Sequence, residues 1–125
     1  MSRLVKSFTY AWKGIYFYVT SEGNVRIHLL ATVFVVGMGC WLHVSIKQWV
    51  LLVLAIGMVH TVEAINTAIE EIVNFISPQK HPSAGKIKDL AAGAVLIIAV
   101  TAAIIGVLIF TPLLIQKFNL CLLNK

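Results

Sequence analysis

Charged residues are scarce in this chain of 125 residues: they form 12% of it, whereas hydrophobic residues form 59%. Five residues are acidic and ten are basic, which gives a formal net charge of +5. A soluble domain exposes far more charge, and no soluble core of this length could hide so much apolar surface. The composition therefore predicts an integral membrane protein, a single unit over residues 1–125, whose positive charge suits anionic lipid.

Signals of several other protein classes are also missing. The two cysteines show neither metal-ligand spacing nor a disulfide framework. The basic residues form no run, which argues against nucleic-acid binding. The chain has no Gly-x-x-x-x-Gly-Lys-Ser/Thr phosphate loop, because Gly85-Lys86 is followed by Ile87, and it has no protein-kinase signatures. Any kinase activity would therefore need an architecture of its own.

Apolar periodicity predicts an all-α fold with one surface helix and three spanning helices. Residues 3–20 place apolar side chains opposite Arg3, Lys6 and Lys13, which is typical of an amphipathic helix in the headgroup layer. Three transmembrane helices are predicted after it, at about 26–44, 48–75 and 87–112.

Two breaks and one proline define the predicted ends of these helices. Ser21–Asn24 separates the surface helix from the first span. The longest predicted loop is Ser77–Gly85, which contains two prolines and a glycine, and Pro112 is predicted at the exit of the last span.

The distribution of basic residues predicts a cytoplasmic N-terminus. With that orientation, most Lys and Arg side chains lie inside, as the positive-inside rule requires: Arg3, Lys6, Lys13, Arg26, Lys80, Lys86 and Lys88. All five acids, Glu22, Glu63, Glu70, Glu71 and Asp89, then also lie at or near the inner face. The sequence thus predicts one acidic cluster at the cytoplasmic surface.

The second span carries the principal candidate site. A helix places five polar side chains on one narrow face: Glu63, Asn66, Thr67, Glu70 and Asn74. Carboxylates at the end of an apolar helix are costly to desolvate, so they normally face a protein interior, a watery cavity or a cation.

The residue types on this face suit phosphoryl transfer from a nucleotide. Glu22 and Glu70, with Asn66 nearby, offer the oxygen ligands that Mg²⁺ prefers. Glu63 lies deeper and could accept a proton from a lipid hydroxyl. Positive charge for a polyphosphate is available from Lys86, Lys88 and His81. Positioning and charge neutralisation supply most of the catalysis in such a reaction.

Two other functions fit parts of the pattern. A small oligomeric transporter could use His60 and Glu63, one turn apart, to bind a proton or a cation. Transport sites lie near the bilayer midplane, however, whereas these acids gather near one surface. A purely structural helix-packing subunit would explain the small residues of the last span but not Glu63 and Glu70.

Four segments resemble the small bacterial integral-membrane diacylglycerol kinases and undecaprenol kinases. They are Tyr10–Gly14 (YAWKG), Glu22–Arg26 (EGNVR), Glu63–Glu70 (EAINTAIE) and Lys88–Val95 (KDLAAGAV). The resemblance covers nearly the whole chain. It implies a homotrimer of three-span protomers in the bacterial cytoplasmic (inner) membrane. ATP and Mg²⁺ would bind at the cytoplasmic interface between subunits, next to a membrane lipid substrate.

The resemblance also implies roles for individual residues. Glu63 matches the catalytic base, Asn66 a polar residue of the active site, and Glu22 and Glu70 the Mg²⁺ ligands. The nucleotide contacts would include Lys88 and Asp89, with Arg3, Tyr10, Gln79, Lys80 and His81 as further contacts.

Two further details of the resemblance concern Asn74 and the lipid acceptor. Asn74 stands where the family usually has aspartate, which implies a weaker structural pairing or a weaker field at the metal site, with activity retained. The segments Glu22–His28 and Lys88–Leu96 resemble the undecaprenol-preferring branch, although the diacylglycerol branch shares every catalytic position. The implied acceptor is therefore undecaprenol or diacylglycerol.

Overall fold

A computed structural model describes residues 3–21 and 24–123, which form four α-helices and the segments that connect them. These are α1 (Arg3–Thr20), α2 (Val25–Trp41), α3 (Ile46–Ile76) and α4 (Pro82–Leu123). The prediction of an all-α fold is confirmed for this part of the chain. The most extensive packing is between α3 and α4, and α2 packs mainly against α3.

Two of the helices are long and apolar enough to cross a membrane. They are α3, with 31 residues, and the segment Pro82–Asn119 of α4, with 38 residues. Helix α2 has 17 residues, about 26 Å of helix, which is shorter than a hydrocarbon core of about 30 Å. Together α1 and α2 would be long and apolar enough, but they are bent by 94° at the break between them. By length and composition α3 and α4 are therefore candidate spans, and a third span over α2 stays a prediction.

The turn between α2 and α3 ends one helix and starts the next through backbone geometry. The amides of His43 and Val44 donate to the carbonyls of Cys40 and Gly39, which is the Schellman pattern, and His43 takes the left-handed conformation at φ 54°. Ser45 then caps α3, because its side chain accepts from the Gln48 amide while the Gln48 side chain accepts from the Ser45 amide. Helix α2 consequently ends at Trp41, before the predicted residue 44.

Helix α4 extends beyond both of its predicted ends. It begins at Pro82 because a proline in the first turn gives up only an amide that has no partner in the helix. It also continues to Leu123, past the predicted helix end at Pro112, while the exit of the span at that residue stays a prediction. Proline is tolerated inside membrane helices where neighbouring groups satisfy the freed backbone. The part of α4 beyond Pro112 contacts the end of α2. Lys117 Nζ donates to the Trp41 carbonyl at 2.9 Å and lies 4.1 Å from the centroid of the Trp41 ring.

The apolar core lies at the end of the molecule where α2 turns into α3. Leu42, Val44 and Leu52 pack there against Ile109 and Phe110 of α4. The acidic face of α3 lies several turns further along that helix, outside this cluster. Other apolar side chains are buried in that half of the molecule, among them Val25 and, on either side of Glu63 along α3, Val59 and Val73.

Gly39 allows the close approach of Trp49 to α2. A Cβ at Gly39 would lie 2.7 Å from Trp49 Cη2, whereas a Cβ at Gly37 would meet nothing within 4 Å. We expect Gly39→Ala to destabilise the fold by about 1–3 kcal/mol through overpacking. Thermal unfolding in detergent micelles measures the effect. Gly37→Ala is the matched control, because it makes the same change of helix propensity on the same helix, and equal unfolding temperatures for the two variants would contradict the packing argument.

Candidate active site

The second half of α3 brings three predicted site residues together. Glu63, Asn66 and Glu70 follow one another at helical spacing and line a cleft of about 400 Å³, together with Ser21 and Asn24. Glu63 is 3% exposed and Asn66 6% exposed, and they are the only buried polar or charged residues in the described part of the chain. A buried carboxylate next to a buried amide is costly unless both are paired, so this pair calls for a chemical explanation.

Two buried oxygen atoms in this cleft lack hydrogen-bond partners. They are Glu63 Oε2 and Asn66 Oδ1, counted over the residues that the structure describes. The Asn66 amide nitrogen donates to Glu70 Oε1 at 3.3 Å, which turns the Asn66 oxygen away from that carboxylate. His28 Nε2 lies 4.0 Å from Glu63 Oε2, too far for a hydrogen bond. The cleft therefore presents two acceptors, ready for a donor or a cation.

The oxygen atoms of the cleft fit a Mg²⁺ ion. In the described ranges no group of three His, Cys, Asp or Glu side chains is close enough to hold a metal. Mg²⁺, however, usually keeps several waters and needs only one or two carboxylates besides the phosphates of a substrate. Glu70 supplies one carboxylate and the Asn66 carbonyl another hard oxygen. The second predicted ligand, Glu22, lies outside the described residues, so its pairing with Glu70 stays a prediction.

A second cleft begins one helical turn beyond Glu70. It has a volume of about 530 Å³ and is lined by Asn74, Gln79, Lys80, His81 and Lys88, among others. Lys88 Nζ donates to Asn74 Oδ1 at 2.6 Å. Asn74 is thus a neutral partner, and no carboxylate takes part in this contact of Lys88.

Three predicted nucleotide contacts do not join either cleft. Arg3 and Tyr10 are exposed on α1, and Asp89 is exposed in the first turns of α4. None of the three lines the acidic cleft or the Lys88 cleft. Their assignment therefore rests on the sequence resemblance.

Sequence reasoning missed a polar cluster beside the acidic cleft. His60 contacts Tyr18 of α1 through Nδ1 at 2.8 Å and Thr32 of α2 through Nε2 at 2.9 Å. His28, one turn before Thr32, is the histidine nearest to Glu63. The only signal in the sequence was the presence of polar residues in apolar helices, and periodicity alone does not reveal partners on other helices.

Fold and site together define a class: an all-helical membrane protein whose buried carboxylate and amide lie in the second half of a long apolar helix, a few turns before a basic cleft. Comparison with known proteins identifies the family to which the chain belongs. The sequence profile of the prokaryotic diacylglycerol kinase family matches residues 9–110. The chain belongs to this family.

Its relatives in the comparison are named for two lipids. The chain is 41% identical over 112 residues to the undecaprenol kinase of Bacillus subtilis, across 90% of this chain and 91% of that protein. It is 38% identical over 113 residues to the diacylglycerol kinase of Synechocystis, across 89% and 65% of the two chains. The diacylglycerol kinase of Escherichia coli K12 is 35% identical over 103 residues, across 82% and 84%.

Proposed function

We propose that this protein transfers the γ-phosphate of ATP to the hydroxyl of a membrane lipid, undecaprenol or diacylglycerol, in a Mg²⁺-dependent reaction. The observation that carries the proposal is the unpartnered Glu63 carboxylate oxygen, buried beside Asn66 and Glu70 in a chain of the prokaryotic diacylglycerol kinase family. No observation favours the transporter hypothesis, because the relatives are kinases and the acids of α3 lie in its second half, on the side of the Lys88 cleft.

The residues of the two clefts have distinct roles in this proposal. Glu63 accepts the proton of the lipid hydroxyl as that oxygen attacks the γ-phosphorus, and the bond from the γ-phosphorus to the β,γ-bridging oxygen breaks to release ADP. Glu70 and Glu22, with Asn66 nearby, would hold the magnesium-bound nucleotide, and the ion would supply charge neutralisation on the phosphates. Lys88 contacts the polyphosphate from the neighbouring cleft, and its neutral partner Asn74 leaves its charge available. Further nucleotide contacts are proposed for Arg3, Tyr10, Gln79, Lys80, His81 and Asp89.

The proposed setting is the bacterial inner membrane, with the active site on the cytoplasmic side. In this arrangement α1 lies on the membrane surface, α2 to α4 cross the bilayer, and three copies form a homotrimer. The concentration of basic residues near the acidic face supports the orientation. The extensive exposure of apolar side chains on the single chain supports burial against lipid and against other copies.

A direct assay distinguishes the two acceptors. Purified protein in mixed micelles receives Mg²⁺-ATP and either undecaprenol or diacylglycerol, and phosphorylated lipid is counted. We expect turnover of both, with the higher kcat/KM for undecaprenol, in line with the 41% identity to an undecaprenol kinase. If neither lipid is phosphorylated and proteoliposomes show ion flux without ATP consumption, the proposed function is wrong and a transporter is favoured.

The Lys88–Asn74 contact yields a prediction about nucleotide affinity. Asn74→Asp would replace a neutral acceptor with a carboxylate that pairs with the Lys88 ammonium and competes with the polyphosphate. Because the pair is exposed, its coupling is worth up to about 1 kcal/mol, so we expect KM for Mg²⁺-ATP to rise about two- to fivefold. Steady-state kinetics at saturating lipid measure this. Asn119→Asp, the same change near the other end of the molecule, is the control, and an unchanged or lower KM in Asn74→Asp would refute the competition.

A further inference from the structure

Three helices meet at the imidazole of His60. Tyr18 Oη of α1 lies 2.8 Å from His60 Nδ1, and the two rings meet edge to face with centroids 6.0 Å apart. Thr32 Oγ1 of α2 lies 2.9 Å from His60 Nε2 on the other side of the ring. Thr32 Oγ1 also donates to the His28 carbonyl at 2.8 Å. All four side chains are partly buried.

The direction of each hydrogen bond in this network follows from the donors available. The single hydroxyl proton of Thr32 goes to the His28 carbonyl, so Thr32 Oγ1 must accept from His60 Nε2–H. His60 Nδ1 is then free to accept from the Tyr18 hydroxyl. Burial, with the Glu63 charge as the second cause, raises the pKa of Tyr18, which keeps that hydroxyl protonated. One neutral tautomer of His60, protonated at Nε2, satisfies every bond.

Tyr18 is the residue of α1 that packs most closely against the other helices. Every other residue of α1, from Arg3 to Thr20, is exposed, and Tyr18 alone is partly buried. Helix α1 has no buried side chain and makes few contacts with the other helices. Within the described residues, the hydrogen bond between Tyr18 and His60 joins α1 to α3 at this half-buried point.

We propose that His60 is a positioning residue for the reaction, which docks α1 through Tyr18 and holds the His28 end of α2 beside Glu63 through Thr32. The inference rests on the proposed function, in which Arg3 and Tyr10 of α1 contact the nucleotide. His60 itself touches neither the reacting atoms nor the cleft of Glu63. His60 lies one turn from Glu63 on α3. A displacement of α1 would change the surroundings of the nucleotide, and a displacement of α2 would change the surroundings of the base Glu63.

Kinetic constants of hydroxyl-deletion variants test this division. Tyr18→Phe should raise KM for Mg²⁺-ATP about three- to tenfold, with kcat within about twofold, because it releases α1 and leaves an acceptor unpaired. Thr32→Val should instead lower kcat by a similar factor. A general loss of structure would lower the yield of folded protein without this KM-against-kcat split. In the double variant Tyr18→Phe/His60→Gln, the KM increase should be no larger than in the worse single variant.

Two control variants carry the same chemical changes outside the network. Tyr16→Phe removes an exposed hydroxyl from the same helix, and Thr101→Val removes a hydroxyl that donates only to the Ile97 carbonyl. Both should stay within about twofold of the unmodified protein. If Tyr18→Phe matches Tyr16→Phe in both constants, the proposed role of His60 is wrong.

A second readout does not depend on catalysis. Nitrogen NMR of histidine-labelled protein in micelles, with the His60 signals identified by their loss in His60→Gln, reports the tautomer directly. We expect Nε2 protonated and Nδ1 unprotonated, with the Nδ1 signal shifting in Tyr18→Phe and not in Tyr16→Phe. The same result is expected even if no lipid is phosphorylated, which separates this inference from the proposed function. A proton on Nδ1, or an Nδ1 signal that Tyr18→Phe leaves unmoved, would overturn it.

Discussion

Replacing Glu63 by glutamine is expected to lower kcat for lipid phosphorylation by about 10²–10⁴-fold, the usual contribution of a positioned general base. The substitution keeps the size and most of the hydrogen-bonding capacity of the side chain but removes its ability to take a proton. Glu63 is buried and its Oε2 has no hydrogen-bond partner in the described part of the chain, so removing its charge breaks no ion pair closer than the 4.0 Å approach of His28. Transfer of labelled γ-phosphate from ATP to undecaprenol measures the loss.

The control for Glu63→Gln is Glu71→Gln. Glu71 is exposed at the edge of the same cleft, so its substitution makes the same change of charge nearby without removing the proposed base. We expect Glu71→Gln to keep kcat within about twofold. Unfolding temperatures of both variants should match that of the unmodified protein. A Glu63→Gln variant with full activity would show that another group accepts the proton.

Replacing Glu70 by glutamine is expected to change the dependence on Mg²⁺. Loss of a residue that merely supports a metal ligand already lowers metal affinity or activity about 10–100-fold, and loss of a direct ligand should cost at least as much. In Glu70→Gln the amide of Asn66 also loses its carboxylate acceptor at 3.3 Å. Activity titrated against Mg²⁺ at fixed ATP should require at least about tenfold more metal and should recover in part when metal is raised.

The Mg²⁺ titration distinguishes the effect of Glu63→Gln from that of Glu70→Gln. Glu63→Gln should lower the plateau of activity and leave the half-saturating Mg²⁺ concentration unchanged, because the base does not hold the ion. Glu70→Gln should shift that concentration. If the Glu70→Gln titration overlies that of the unmodified protein, then Glu70 does not hold the ion and the proposed metal site is wrong.

Helical periodicity was sufficient to predict the acidic face. Glu63, Asn66 and Glu70 are spaced so that one side of α3 carries all three, and the structure brings them to a single cleft. The spacing also included Asn74, which the structure pairs with Lys88. That pairing joins residues of α3 and α4, and it depends on the packing of those two helices rather than on the pattern within either one.

Helix ends were harder to predict, because proline has different effects in different positions. Pro82 begins α4, although it was expected in a loop, and Pro112 lies inside α4, although it was expected at the end of the last span. Whether a helix begins at a proline or continues through it depends on whether the helix needs a backbone amide at that position. It also depends on tertiary contacts further along the helix, such as that of Lys117 with Trp41. His43 is a second example, since a histidine in the left-handed conformation gives no clear signal in the sequence.

The network around His60 could not have been found from sequence. In the sequence His60 stood out only as a possible partner of Glu63, whereas the structure gives it hydrogen bonds on both sides of its ring. Its partners lie 42 and 28 residues away along the chain, on two different helices. Only the relative placement of α1, α2 and α3 brings them together.

A structure of the protein in lipid, with Mg²⁺, a non-hydrolysable ATP analogue and undecaprenol bound, tests the central claim most directly. We expect one Mg²⁺ ion held by carboxylate oxygens of Glu70 and Glu22, within one protomer or between two. The terminal phosphate should lie next to Lys88, and the lipid hydroxyl should lie within hydrogen-bond distance of Glu63. Nucleotide and metal bound away from the acidic face of α3, for example at the opposite end near Trp41 and Lys117, would contradict the account.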